Sequence, residues 1–380
     1  MQNISIVTSS NGLGRKNDNA DNVSALMFYI VAPASWGAGA TVKSYRNIAA
    51  VKADGIVEGS AIYGIVHYQA SEFFRLSPGA ELLLILTGNG FTLPNGLVQH
   101  PLLAGRVRQL AVLETDLAAA VPQWQSYASS AESNFKAPLS ILIGYYPTAA
   151  GLPANMSTMN APRVSVLCCG DGAGKGFALA TALGRSYVPA LGALLGAVAK
   201  AKVNESIAWV EVFNISDGTE YNVIRDSNGQ NNAELTFTDL MHRCIVLRKY
   251  VGIAGTYFGD NHTCSAQAGN DFAYMNDVRT MDKAKRLLYA AYLPMLGSPL
   301  KVEPVTGTLD SVVLERFKVA GENALSEMFN NEEVSGFQIY VDPNQNVLQT
   351  GFMQVNIEIV PYGTARNIVL SVGYALKLTV

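Results

Sequence analysis

Charge is scarce in this chain. Of 380 residues, 27 are Lys or Arg and 30 are Asp or Glu, for a net charge of −3. So little charge leaves much neutral surface, of the kind that other copies of a chain can cover. Apolar residues make up 49%, which suffices for a large core and excludes a disordered chain. Lys and Arg are nowhere clustered, so nucleic acid is not an expected partner. The cysteines, Cys168, Cys169, Cys244 and Cys264, are few and fit free thiols in a reducing cytoplasm. Adjacent Cys168 and Cys169 would point to opposite faces of a strand, which argues against one shared metal. His67, His100, His242 and His262 fall in no ligand-like spacing. No metal and no cofactor is expected. The first residues, MQNISIVTSSNGLGRKND, lack the apolar core of a signal peptide. Arg185, Pro189 and Lys200 interrupt the most apolar stretch, FALATALGRSYVPALGALLGAVAKA, and hold it below the ~18–20 residues of a membrane span. Direct membrane insertion is therefore not expected. There is no short-period repeat, low-complexity tract or obvious linker.

What is present first reads as α/β. In AIYGIVHYQASEFFRL (61–76), Ile62, Val66, Ala70 and Phe73 share one helical face. SPGA breaks that helix, and ELLLILT (81–87) is a short apolar run typical of a strand buried on both faces. Further strands are predicted at 107–114, 138–146, 163–169, 206–213 and 243–251, with a helix in DLAAAVPQWQSYASSAES (116–133). Strands alternating with helices predict a mostly parallel sheet with flanking helices.

The last third changes style. MDKAKRLLYAAYLPML (281–296) carries Met281, Ala284, Leu288, Ala291, Tyr292 and Met295 on one stripe, with Lys283, Lys285 and Arg286 away from it. TLDSVVLERFKVAGENALSEMF (308–329) has Leu309, Val313, Phe317, Ala320, Ala324 and Met328 at helical spacing, with Thr308 or Asp310 as N-cap. Strand-like alternation follows at Phe337, Ile339 and Val341, then at Val355, Ile357 and Ile359, with a turn at DPNQN between them.

The ends of the chain are the most regular part. Ile368, Leu370, Val372, Tyr374, Leu376, Leu378 and Val380 are apolar at period two. The fourteen residues from Asn367 would span roughly 46 Å if extended, against ~17–20 Å for a usual strand. Ile4 and Ile6 repeat the pattern in miniature. Such a strand either pairs inside its own subunit or completes a sheet in a neighbour. A donor segment at each end would link a subunit to two neighbours, and a heterologous contact that does not close propagates as a helix.

The C-terminal third, RTMDKAKRLLYAAYLPML, a long helix and GFQIYVDPNQNVLQTGFMQVNIEIVPYGTARNIVLSVGYAL, resembles the tail sheath proteins of contractile phage tails and related injection systems. IEIVPYGTARNIVLSV is similar to that family's ending of strand, proline corner and final strand. TVKSYRNIAAVKADGI and YGIVHYQASEFFRLSPGAELLLIL resemble segments of its compact members. The resemblance covers about 240–380, with patches at 41–87. It implies a mixed α/β subunit with an N-terminal arm (1–22), an α/β domain (23–240), a sheath C-terminal domain (241–366) and a C-terminal arm strand (367–380). It implies a non-enzymatic homo-oligomer, assembled in the cytoplasm as a helical polymer around an inner tube protein, with baseplate and terminator proteins at its ends. The arm residues would be Ile4, Ile6, Ile368, Leu370, Val372, Tyr374 and Leu376. Lys283, Lys285 and Arg286 would form a basic helix face towards the tube, or a merely solvated one. A capsid or surface-layer subunit would explain the low charge and greasy ends equally well.

Two rival chemistries are weaker. VSVLCCGDGAGKGFALATALG (164–184) looks like a phosphate loop. A P-loop requires Gly, four residues, then Gly-Lys and Ser or Thr. Here Gly176 follows Gly174-Lys175, and Cys169 stands where the first glycine belongs. The dinucleotide pattern from Gly170 fails at Lys175. A nucleotide-binding enzyme using Gly170–Gly176 remains the lesser alternative to a glycine-rich turn from strand to helix. In GDNHTC, Asp260, His262 and Cys264 are close, but no nucleophile-elbow sequence precedes them.

Overall fold

The buried apolar runs become one six-stranded sheet. A computed structural model of the chain describes residues 20–88, 105–147, 155–231 and 242–374. The sheet comprises β1 (Ser24–Phe28), β2 (Val42–Tyr45), β3 (Leu82–Leu86), β4 (Gln109–Glu114), β5 (Ser140–Tyr145) and β6 (Val164–Leu167). Their order is β2-β3-β1-β4-β5-β6. All pairs are parallel except β2 with β3. Every residue of β1 and β3 is buried, as strands covered on both faces require.

Helices α1 (Ile48–Ala53) and α2 (Gly64–Leu76) lie between β2 and β3 in sequence, and α3 (Leu117–Phe135) joins β4 to β5. Asp116 starts α3 by accepting the Ala118 and Ala119 amides. Beyond β6 come α4 (Lys175–Ala182) and α5 (Leu191–Lys200), the two helices into which the longest apolar run divides. Helix α5 is buried along its length except at Lys200 and crosses α2 closely. A Cβ on Gly192 would lie 2.0 Å from the Gln69 carbonyl oxygen, and one on Gly196 would lie 2.9 Å from that of Phe73. The buried Gln69 side chain fastens the crossing by accepting the Gly192 amide at 2.6 Å and donating to the Pro189 carbonyl at 2.8 Å.

Two sequence expectations change here. Residues 206–213 are not a strand. Trp209, Val212 and Phe213 close successive turns through backbone bonds, and the Ser206 hydroxyl holds the Ala208 amide. The apolar alternation there reflects turns that bury Ile207 and Phe213 and leave Trp209 exposed. Of 243–251, Ile245 bridges Leu167 at the sheet edge. Short β7 (Gly170–Asp171) and β8 (Ile224–Arg225) pair with each other. Within 243–251, only Leu247–Tyr250 forms a strand, β9, antiparallel to β10 (Ile253–Phe258).

The chain divides into two compact units, Met1–Tyr289 and Ala290–Val380, with the division in the last turn of α6 (Met275–Tyr292). The second unit holds α7 (Ser311–Asn330), β11 (Val334–Tyr340), α8 (Val347–Thr350) and β12 (Asn356–Pro361). Asp310 is the N-cap of α7, accepting the Val312 amide at 2.9 Å. Phe317, Gly321, Leu325 and Met328 form the buried face of α7. β11 and β12 are antiparallel, with Phe337 opposite Ile359 and Ile339 opposite Ile357. Among the described residues no helix is long and apolar enough to cross a membrane. The result is the mixed α/β fold, a mainly parallel sheet with flanking helices, that the sequence predicts.

Candidate functional site

The glycine loop is a turn that its own protein fills. β7 carries Asp171, fully buried. Its Oδ1 accepts the amides of Ala173 (3.2 Å) and Tyr221 (3.1 Å), and its Oδ2 accepts that of Gly176 (3.2 Å). Glu220 Oε2 accepts the Lys175 amide at 2.9 Å. The start of α4, where exposed amides could hold an anion, is thus occupied by two side-chain carboxylates. Burial, with the charges of Asp171 and Glu72, pushes the Glu220 carboxyl up to about 7 against the pull of the Lys175 amide. The glycines serve close packing. A Cβ on Gly170 would lie 2.1 Å from the Val188 carbonyl oxygen, and one on Gly174 would lie 2.5 Å from Asp171 Oδ2. The loop also follows edge strand β6, whereas a doubly wound sheet binds nucleotides where strand order reverses, here between β1 and β4. At that point Glu114 accepts from the Tyr29 hydroxyl (3.0 Å) and the Trp124 indole (2.9 Å). Lys175 is exposed, 3.7 Å from Glu58.

The Asp260–His262–Cys264 loop assembles no nucleophile. His262 Nε2 lies 3.6 Å from Asp260 Oδ2. Cys264 is fully buried, and burial pushes its thiol well above the usual range, which keeps it protonated. Among the described residues no three His, Cys, Asp or Glu side chains gather as a metal site.

The described part of the C-terminal segment differs from ordinary surface. Ile368, Leu370, Val372 and Tyr374 are each at least 76% exposed, and 362–374 forms no strand in the subunit. Leu376, Ile4 and Ile6 lie outside the described residues.

The basic residues of α6 require a correction. Lys283 and Arg286 do not lie on an exposed face. Their side chains are 7% and 15% exposed, and both meet Asp21, with Lys283 Nζ at 2.9 Å and Arg286 joined through Nη2. Lys285 is the exposed member, at 46%, and pairs with Glu132. The inward face of α6 is polar rather than the predicted apolar stripe. Asp282 receives Arg163 through two bonds of 2.9 and 2.8 Å, and Arg279 donates to the Ala201 and Lys202 carbonyls. Burial alone would raise the Asp21 carboxyl; the Lys283 hydrogen bond and the Arg286 charge bring it below its usual value. Sequence reading misses Asp21, Arg163, Asp282 and Glu220, because each pairs across a long separation, 119 positions for Arg163 and Asp282.

Comparison with known proteins finds the overall fold elsewhere. Two family models match, the DUF2586 N-terminal domain over residues 109–262 and the DUF2586 C-terminal domain over 271–379. Together they span well over half of the chain. No curated protein matches it by sequence. Among solved structures, a chain of the anti-feeding prophage baseplate superposes with a TM-score of 0.65 at 15% identity, covering 97% of this chain and 100% of that one. The contracted helical sheath of the same particle gives a TM-score of 0.62 at 15% identity, covering 97% and 99%. The contracted PVC sheath complex, an extracellular contractile injection system, gives 0.62 at 12% identity, covering 98% and 99%. The resemblance to contractile-sheath subunits expected from the sequence therefore holds at the level of the fold, over almost the whole chain.

Proposed function

For a chain that belongs to the DUF2586 family and has the fold of contractile-sheath subunits, we propose a structural role: it polymerises helically around an inner tube and contracts to drive that tube through a target envelope. Residues 2–8 and 367–380 are the arms that link neighbouring subunits by strand exchange. The observation that carries this reading is the exposed apolar row Ile368, Leu370, Val372 and Tyr374. An apolar row that a lone subunit leaves in water favours association. Added to a neighbour's sheet, it gains backbone hydrogen bonds and buries that row. A receiving edge exists in the second unit. β11 and β12 pair with each other alone among the described residues, so each keeps one open edge. A groove of about 460 Å³ runs between β11 (Phe337, Ile339) with the following Val341 and α7 (Leu314, Lys318, Glu322).

On this reading the protein is not an enzyme. The extended sheath is a stored metastable state, and contraction needs no nucleotide. The partners are further copies, an inner tube protein, and baseplate and terminator proteins, assembled in a bacterial cytoplasm. With Lys283 and Arg286 turned onto Asp21, Lys285 is the member of the basic trio offered to the tube.

The test is removal of residues 368–380, with assembly followed by negative-stain microscopy. The full chain is expected to give hollow cylinders that shorten and widen, and the truncated chain to remain as folded subunits. Long regular tubes from the truncated chain would overturn the arms. Closed shells or flat lattices from the full chain would favour a capsid or surface-layer subunit instead.

A further inference from the structure

Asp21 stands where the first twenty residues join the described fold. It lies in a short 3-10 turn, Ala20–Asn22, directly before β1, whose first ladder contact is the Ser24 amide on the Glu81 carbonyl at 3.2 Å. The Asp21 side chain turns away from the strand to α6 and meets Lys283 and Arg286, one helical turn apart on the same face. All three side chains are at most 15% exposed. A buried ion triad is not the cheapest way to stabilise this corner. Apolar residues of similar volume often do as well or better, and what an ionic cluster adds is a single defined geometry. Here that geometry fixes the point from which the N-terminal segment departs. It also ties that point to an 18-residue helix rather than to the end of one strand.

We propose that the Asp21–Lys283–Arg286 triad is the anchor of the N-terminal arm. It positions the arm's root, so that a strand shared with a neighbouring copy pulls on α6 instead of peeling β1 from its N-terminal end. The proposal rests on the sheath-subunit reading and adds to it the residues that hold one of the arms.

Asp21→Asn removes the carboxylate that Lys283 and Arg286 both meet and tests the anchor. The control is a core variant matched to it in subunit melting temperature, Val112→Ala or Val166→Ala, both fully buried in the sheet. The readout is the lowest subunit concentration that gives tubes. Asp21→Asn is expected to raise it about tenfold or more, against about twofold or less for the matched control. The exchange pair Asp21→Lys with Lys283→Asp is expected to restore assembly. Equal weakening by Asp21→Asn and its matched control would overturn the anchor, since the triad would then act through subunit stability alone. If Asp21→Asn does not fold, Arg286→Gln, which keeps the Asp21–Lys283 pair, takes its place in the same comparison. Absence of tubes from the unmodified chain would overturn the sheath reading itself, and the anchor with it.

Discussion

Glu220 and Asp171 converge on the first turn of α4, one taking the Lys175 amide and the other the Gly176 amide. A Cβ on Gly174 would lie within 2.6 Å of an oxygen of each, so the two carboxyl groups are near neighbours. Glu72 and Arg75 face them from α2, joined to each other at 2.6 Å, and Asp217 adds a further negative charge.

With the Glu220 carboxyl raised to about 7, the folded chain holds a proton that the unfolded chain gives up in the ordinary glutamate range. The stability tied to that proton is fully present below the ordinary glutamate value and is lost as pH rises through about 7. Glu220→Gln keeps an acceptor for the Lys175 amide and supplies an uncharged donor towards Asp171. The variant is expected to match the parent near pH 5 and to exceed it at pH 8 by on the order of 1–2 kcal/mol. Melting curves of the subunit from pH 5 to 9 check this, and parallel pH profiles for the two proteins would refute it.

The α2–α5 crossing predicts a steep response to one methyl group. Gly192→Ala would set a Cβ 2.0 Å from the Gln69 backbone oxygen, where no flexible side chain can yield. The helices must separate, at a cost of about 1–3 kcal/mol or more. Gly363, with nothing within 4 Å of a new Cβ, is the control, and Gly363→Ala is expected to change stability by no more than about 0.5 kcal/mol. Urea unfolding of the two variants decides it.

How legible the chain is follows from the range of each interaction. β3 and most of β5 are apolar, and burial on both faces is a local property of sequence, so β3, β5 and the helix at 64–76 can be read directly. The glycine loop can be demoted from sequence, since the motif positions fail. What fills it cannot, because Glu220 arrives from 45 residues away. Helix α6 misleads for the same reason. Its Lys283 and Arg286 look like solvated charge until Asp21, 265 positions from Arg286, supplies their partner. The Trp209 region misleads differently: turn bonds between near neighbours imitate the alternation of a strand.

On the proposed sheath reading, Lys285 separates tube contact from folding. Its pair with Glu132 is largely at the surface, and such pairs contribute roughly 0–1 kcal/mol. Lys285→Glu is therefore expected to leave the subunit's melting nearly unchanged while weakening association with the inner tube protein. Unchanged co-sedimentation with the tube would remove Lys285 from that interface. Charge reversal at Lys283 or Arg286 would instead damage the subunit, because each would place a second carboxylate beside Asp21.

The C-terminal arm makes a prediction about faces. If 367–380 enters a neighbour's sheet as a strand, side chains two apart share a surface and adjacent ones oppose. Leu370→Asp or Val372→Asp would carry a charge into the buried side, and each is expected to abolish tubes or raise the concentration needed by at least about tenfold, through desolvation of the carboxylate. Ser371→Asp lies on the other side and is expected to assemble with less than about threefold change, the scale of a surface substitution. None of the three is expected to shift subunit melting, since Leu370 and Val372 are more than 80% exposed and 362–374 forms no strand in the subunit. Equal tolerance of all three would mean that the segment docks without a strand's two-faced register.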